Sequence, residues 1–320
     1  MSSRRIWILD GEGGAQLGSD QELQSLGAEG RAAWIHLDLN DEDSIGWLRA
    51  SSGLTDATCD ALVAEKARPR TTELEGGLVV VLRGVNLNPG ADPEDMVSLR
   101  LWIDGARVIS VSSRRPLAVG DLESELTSGA GPKTSVGVLC SLSTHLTERV
   151  EDTLERLEEA VDRLEDQALT EPPDELLGAL AEIRRQVIGL RRHLAPAREA
   201  MARLWKSRVD FMDEEGRSTL QLLAEQVLRY VDELEELRDR SAVSHDILSS
   251  RQADALNRRM LFLAVVTAIF LPLGLIAGLL GTNLAGIPWA TSELAFPVVC
   301  GGLIGLGLLE VWLLKRLRWW

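Results

Sequence analysis

Apolar and polar positions follow three different rhythms along the 320 residues, and each rhythm predicts a different kind of element. Up to Ser113, Ile6 to Leu9, Ala32 to Leu39, Leu78 to Val85 and Val97 to Val111 are β-branched or alternating runs that read as strands. Asp104-Gly105, between Leu101-Trp102-Ile103 and Val108-Ile109, marks a hairpin turn. Helices are expected at Asp41 to Ala50 and Thr55 to Ala67, the second capped by Thr55 or Asp56. This α/β part ends near residue 130.

The second rhythm is helical. From Pro132 to about Leu169, Leu139, Leu142, Leu146, Val150, Leu154, Leu157, Val161 and Leu164 recur at three- and four-residue steps and form one apolar stripe. Glu171-Pro172-Pro173-Asp174 breaks that helix and opens another, and so short a connection makes the two antiparallel neighbours. The second helix runs from Pro173 to about Arg208, with Leu176, Leu177, Leu180, Ile183, Val187, Leu190 and Leu194 as its apolar positions. A third begins near Asp213 and meets no breaker before Pro272, a length typical of a coiled coil or of a bundle leading into a membrane.

The third rhythm is continuous apolarity. Met260 to Leu280 has no charged side chain, and Leu294 to Leu314 has only Glu310, so each run can cross about 30 Å of hydrocarbon as a helix. Arg251, Arg258 and Arg259 precede the pair and Lys315, Arg316 and Arg318 follow it, whereas Gly281 to Glu293 has no Lys or Arg. The excess of positive charge at both ends places them, and the large preceding domain, in the cytoplasm. Trp289 at the outer turn and Trp312, Trp319 and Trp320 at the inner end suit the two interfaces. Glu310 is expected within reach of the inner headgroups, paired with a neighbouring basic side chain. The predicted organisation is therefore an α+β cytoplasmic domain over 1–130 (a small mixed sheet with helices), a long-helix region over 131–259, a first span over 260–280, an outer loop over 281–293, a second span over 294–314 and a basic tail over 315–320.

On the first span, Asn257, Met260, Ala264, Thr267, Leu271, Gly274 and Gly278 share one helical stripe, polar at its inner end and small at its outer end. Spacing alone fits a pore lining and close packing through small residues equally well, and Gly301 and Gly305 suggest packing in the second span. One hairpin cannot enclose a water-filled path. If the stripe lines a pore, identical subunits surround it with cyclic symmetry, and Gly281-Thr282-Asn283 offers a ring of carbonyl, amide and hydroxyl dipoles to a hydrated cation.

Composition narrows the partners. A formal net charge of -15 argues against nucleic acid, which needs a basic face. It is compatible with a cation-collecting surface, but taken alone such a charge more often means an acidic domain kept soluble by it. Cys59, Cys140 and Cys300 are far apart, which excludes a disulfide framework and a cysteine-based structural zinc site. The start of the chain is too short in apolar residues for a secretory signal core.

The run Ile269-Phe270-Leu271-Pro272-Leu273, continuing through Ala277-Gly278 to Gly281-Thr282-Asn283 and Leu284-Ala285-Gly286-Ile287-Pro288-Trp289, resembles the CorA family of divalent-cation transport proteins. Within that family the sequence is most similar to the zinc-transporting ZntB branch, with support from Leu190-Arg191-Arg192-His193-Leu194-Ala195-Pro196-Ala197-Arg198-Glu199-Ala200. The family pattern at the outer loop is Gly-Met-Asn; Gly281 and Asn283 keep its ends and Thr282 departs from it, which favours the ZntB branch and weakens magnesium as the substrate. The resemblance implies a funnel-shaped homopentamer in an inner membrane, with both termini cytoplasmic, the first spans around the axis and the long helices forming the cone. It implies that Asn283 meets the incoming hydrated ion and that Asn257, Met260, Thr267, Leu271 and Gly274 fall along the pore. The transported ion would be Zn²⁺, with Mg²⁺, Ni²⁺, Cd²⁺ and Co²⁺ as further candidates, with coupling to protons and no other cofactor.

Other features are weaker pointers. Glu151, Asp152, Glu155, Glu158, Glu159, Asp162, Glu165 and Asp166 could concentrate cations or form a solvated helix face. His36, His145, His193 and His245 are isolated, and Asp10-Gly11-Glu12-Gly13-Gly14 lacks the third Gly of a dinucleotide loop and reads as a surface turn. No Ser, His and Asp grouping suggests catalysis, so no enzyme is expected. A non-conducting, membrane-anchored coiled-coil scaffold or sensor explains the hairpin and the long helices as well, but gives no reason for the polar positions on the stripe.

Overall fold

Strand-forming β-branched runs build a seven-stranded sheet in the computed structural model, which describes residues 4–23, 31–64, 68–74, 76–168, 170–282 and 292–316. The strands are β1 Arg5–Leu9, β2 Ala15–Leu17, β3 Ala33–Asp38, β4 Arg70–Leu74, β5 Gly77–Gly84, β6 Val97–Ile103 and β7 Arg107–Ser112, in the spatial order β2-β1-β3-β7-β6-β5-β4. Only the central pair β3 and β7 is parallel, with Ile35 opposite Ile109, so the sheet is mixed as expected. The β6–β7 turn forms where Asp104-Gly105 predicts it, because Asp104 Oδ1 accepts from the amides of Ala106 at 2.8 Å and Arg107 at 2.6 Å.

The central strands are buried on both faces, and alternation along them assigns each residue to one of two cores. Leu78, Val80 and Leu82 point one way and Val79 the other. Preceding helices α1 Asp20–Leu23, α2 Glu42–Ala50 and α3 Asp56–Val63 come between strands, and Leu48, Cys59 and Leu62 of α2 and α3 pack on the Val79 face. The other face is covered by α4 Leu117–Ser128, α5 Ser135–Gln167, α6 Pro173–Trp205 and the first part of α7 Glu214–Leu280. The core runs without interruption from Leu126 of α4 to Val136 of α5, so the first two expected domains share one core across residue 130.

Helix ends follow local chemistry. Thr134 Oγ1 accepts from the Gly137 amide at 3.0 Å and starts α5. Asp213 Oδ1 accepts from the Gly216 amide at 2.7 Å and starts α7. In α3, Ala64 turns to extended backbone, so the helix stops short of the expected Ala67; residues 65–67 lie outside the described set. Every apolar position of the predicted α5 stripe from Leu139 to Leu164 is buried, each large side chain contributing about 1.5–3 kcal/mol. Two compact units divide the chain, Met1–His245 and Asp246–Trp320. The second holds the apolar part of α7 and the helix α8 Ala295–Arg316.

Candidate functional site

Both α7 and α8 contain stretches long and apolar enough to cross a membrane. Phe262, Phe270 and Leu271 on α7 are each about 70% exposed in the single chain, an arrangement that only lipid or further protein can cover. Where the two helices meet, a Cβ placed on Gly307 would lie 3.5 Å from Leu273 Cδ1. The half-buried positions of α7, Val265, Val266, Ile269, Pro272 and Leu273, mark its side of this seam.

Asn257, Met260, Ala264, Thr267, Leu271, Gly274 and Gly278 are all exposed. At about 100° of rotation per residue, their stripe lies on the opposite side of α7 from the seam. Gly274 and Gly278 have open space where a Cβ would stand, so neither glycine is used to bring α8 close. Close packing within the hairpin therefore does not account for the stripe. Thr267 Oγ1 donates to the Leu263 carbonyl at 2.8 Å, which spends its proton inside the helix and leaves its lone pairs outward. At the C-terminal end of α7 the Gly281 amide donates to the Ala277 carbonyl at 2.9 Å, and Thr282 Oγ1 donates to the Leu279 carbonyl at 2.8 Å. Asn283, Trp289, Arg318, Trp319 and Trp320 lie outside the described residues.

Glu310 differs from expectation. It lies half-buried on α8 with Oε2 shielded from solvent and without a hydrogen-bond partner, and among the described residues it forms no ion pair. Arg316 instead stacks over the Trp312 ring, 5.2 Å from its centroid.

The acidic run on α5 separates into two groups. Glu151 accepts from Tyr230 Oη at 2.9 Å and Gln226 Nε2 at 3.1 Å, joining α5 to α7. Burial, then the hydrogen bond to Glu151, pushes the Tyr230 phenol up. Arg240 of α7 pairs with Glu165 at 2.6 Å and with Asp162, and Arg163 pairs with Glu159 at 3.3 Å. Asp152, Glu155, Glu158 and Asp166 remain on the exposed face.

His36 is buried in the sheet, with Nδ1 2.9 Å from Ser110 Oγ, and burial followed by the charges of Arg115 and Arg5 pulls its pKa down to about 3. His193 Nδ1 lies 3.1 Å from Arg83 Nη1, and burial followed by Arg83 and Arg192 pulls it down to about 4. His145 lies 2.9 Å from Glu125 Oε1. Among the described residues no group of three His, Cys, Asp or Glu side chains could hold a metal ion. The Asp10 turn has no open cradle: Asp10 Oδ1 itself accepts from the amides of Glu12, Gly13 and Gly14, and these bonds hold its carboxyl low.

A mixed sheet leading through long helices into two helices, each long and apolar enough to cross a membrane, defines the class of a membrane-associated protein. The family described as "CorA-like Mg2+ transporter protein" matches residues 29–316, and the chain belongs to this family of transporters. It is 37% identical to the "Divalent cation transporter CmaX" of Pseudomonas aeruginosa over 98% of this chain and 95% of that protein. It is 33% identical to the "Zinc transport protein ZntB" of Yersinia enterocolitica over 97% and 94%. The solved structure of full-length CmaX superposes with a TM-score of 0.86 at 36% identity, covering 100% of this chain and 99% of that one. The CorA magnesium transporter of Methanocaldococcus jannaschii shares the fold, with a TM-score of 0.79 at 18% identity over 97% of each chain.

Proposed function

We propose that this chain is one subunit of a homo-oligomer that conducts divalent metal cations across a membrane, zinc in preference to magnesium, along an axis lined by the Asn257 to Gly278 stripe. The observation that carries the reading is the stripe's position on the side of α7 turned away from α8. Copies of the same helix supply the remaining walls under cyclic symmetry. Similarity to CmaX and ZntB supports a divalent metal as cargo, and the CorA resemblance supports five copies arranged as a funnel in an inner membrane. Similarity to ZntB also supports zinc over magnesium and coupling to protons.

Neither His nor Cys lies on the stripe, so a dehydrated zinc ion would lack its preferred ligands there. The ion passes largely hydrated, oriented at Gly281, Thr282 and Asn283 by amide, hydroxyl and carbonyl dipoles. Zn²⁺, Mg²⁺, Ni²⁺, Cd²⁺ and Co²⁺ are then only weakly discriminated. The basic residues at the inner ends of both spans hold the sheet-containing unit and the termini in the cytoplasm. Asp152, Glu155, Glu158 and Asp166 add a negative field on the cytoplasmic side, screened within about 8 Å at physiological salt.

Purified chain in liposomes tests the reading. Zn²⁺ uptake above that of empty vesicles, faster than Mg²⁺ uptake, is the expected result. No flux above empty vesicles for any of the five ions rejects transport, and Mg²⁺ uptake faster than Zn²⁺ uptake rejects the preference.

A further inference from the structure

Glu310 is the one charged side chain between Ala295 and Leu314 of α8, and none stands between Met260 and Leu280 of α7. Its place on the helix is not incidental. Leu303, Leu306, Gly307, Glu310, Val311 and Leu314 are the half-buried positions in this part of α8, and their three- and four-residue steps form one stripe. Because Gly307 meets Leu273, that stripe is the one turned toward α7. Consecutive helices on a short connection run antiparallel, so three residues forward from Gly307 match three residues back from Leu273. Glu310 is therefore level with Phe270, about 15 Å from either end of the 260–280 run at 1.5 Å per residue. On α8 the nearest charged groups, Lys315 and Arg316, follow on other sides of the helix, and Cys300 is the remaining titratable group of the span.

The facing part of α7 holds a second acceptor. Pro272 is half-buried on the seam and lacks an N–H, so the helix does not supply the amide that would bond the Ala268 carbonyl. A helical carbonyl points along the axis toward the residue four further on, which puts this oxygen beneath the Pro272 ring, on the seam side and close to the level of Glu310. Glu310 Oε2 is shielded from solvent and receives no hydrogen bond. A carboxylate and a carbonyl cannot satisfy each other, and hydrocarbon brings no water to do it. A carboxylic acid has an O–H to donate. We propose that Glu310 is a proton-binding site between the two spans: its carboxyl takes up a proton from water and in that form donates a hydrogen bond to the Ala268 carbonyl, holding α8 against α7. Protonation also removes the only charge from the apolar layer of the hairpin. The site is separate from the Asn257 to Gly278 stripe, which lies on the other side of α7. The inference rests on both helices lying in a bilayer, as the proposed function has them, and not on flux.

The test uses the full-length protein in liposomes and dicyclohexylcarbodiimide, an apolar reagent that adds to a protonated carboxyl group in hydrocarbon and not to a carboxylate. Mass spectrometry at neutral pH should find the adduct on the peptide carrying Glu310, and Glu310→Gln should lack it. No adduct at Glu310 overturns the proposal. An adduct suppressed by Na⁺ but not by choline overturns it too, because the site would then hold sodium. The acceptor is tested by thermal unfolding in detergent. Glu310→Gln keeps a donor and should melt like the native protein, whereas Glu310→Met has none and should melt about 2 °C lower. Pro272→Ala restores the missing amide, so in that background the Gln and Met variants should melt alike. An equal difference in both backgrounds overturns the pairing with Ala268, and if Pro272→Ala fails to fold the labelling still decides. Zinc flux into liposomes judges transport by a separate readout, so the failure of either reading is distinguishable from that of the other.

Discussion

His36 offers a sharp test of whether the isolated histidines are core residues or metal ligands. Its folded pKa of about 3 lies well below the ordinary value of 6.5 because burial, then Arg115 and Arg5, disfavour the charged ring. A histidine with a depressed folded pKa gives stability that is present above the unfolded value and is lost as pH falls through the window from 6.5 toward 3. At pH 5 the unfolded chain gains about 1.5 pH units of protonation free energy that the folded chain does not, which is about 2 kcal/mol at 1.36 kcal/mol per unit. His36→Gln keeps an oxygen that can accept from Ser110 and removes the titration. Thermal unfolding followed by tryptophan fluorescence at pH 7 and pH 5 should show the native protein losing about 4–8 °C more than the variant. Equal pH slopes in the two proteins would refute the buried, neutral assignment. A pH 5 destabilisation of the native protein relieved by zinc would place His36 among the metal ligands instead.

Three further outcomes follow from the same account. Asn283→Ala should abolish zinc flux into liposomes while the assembly keeps its elution volume; unchanged flux would remove Asn283 from the ion entrance. Leu142→Ala, in the core between α5 and the sheet, should cost about 2–5 kcal/mol, and a change in chemical-denaturation midpoint corresponding to less than 1 kcal/mol would mean the site collapses without a cavity. Tyr230→Phe leaves Glu151 short of a hydroxyl donor between α5 and α7, and a loss of about 1–2 kcal/mol is expected; an unaltered melting curve would show that Gln226 alone suffices.

How much of this was readable beforehand depends on the length of each pattern. The α5 stripe and the two apolar runs persist over twenty residues or more, and packing can only use them one way. β2 has three residues and β4 reads Arg-Thr-Thr-Glu-Leu at the sheet edge, where half the side chains face water and no alternation survives. Helix α4 was legible in principle, since Ala118, Val119, Leu122 and Leu126 keep helical steps, all of them buried. The boundary near residue 130 could not reveal a core that continues across it, because continuity depends on which helices cover the sheet.

The stripe on α7 was visible from spacing, but not which side of the helix α8 would take. That is decided by Leu273 meeting Gly307, two positions separated by a turn of the chain. Likewise, nothing local to Glu151, Asp162 or Glu165 shows that Tyr230 and Arg240 hold them, because those partners lie seventy-five or more residues away. Among the described residues Glu310 has no basic partner, and Arg316, six residues on and therefore on another face of the helix, stacks on Trp312 instead.

The account rests on the stripe of α7 facing water, and cysteine accessibility in the reconstituted protein measures this most directly. Single cysteines at 264, 267 and 271 are compared with cysteines at 265, 269 and 273, each reacted with a small charged thiol reagent after Cys59, Cys140 and Cys300 are replaced. The account predicts fast modification at the first three, slowed by zinc, and protection at the second three. Equal protection on both faces would contradict it, because the stripe would then be buried against protein or lipid and no wetted path would exist.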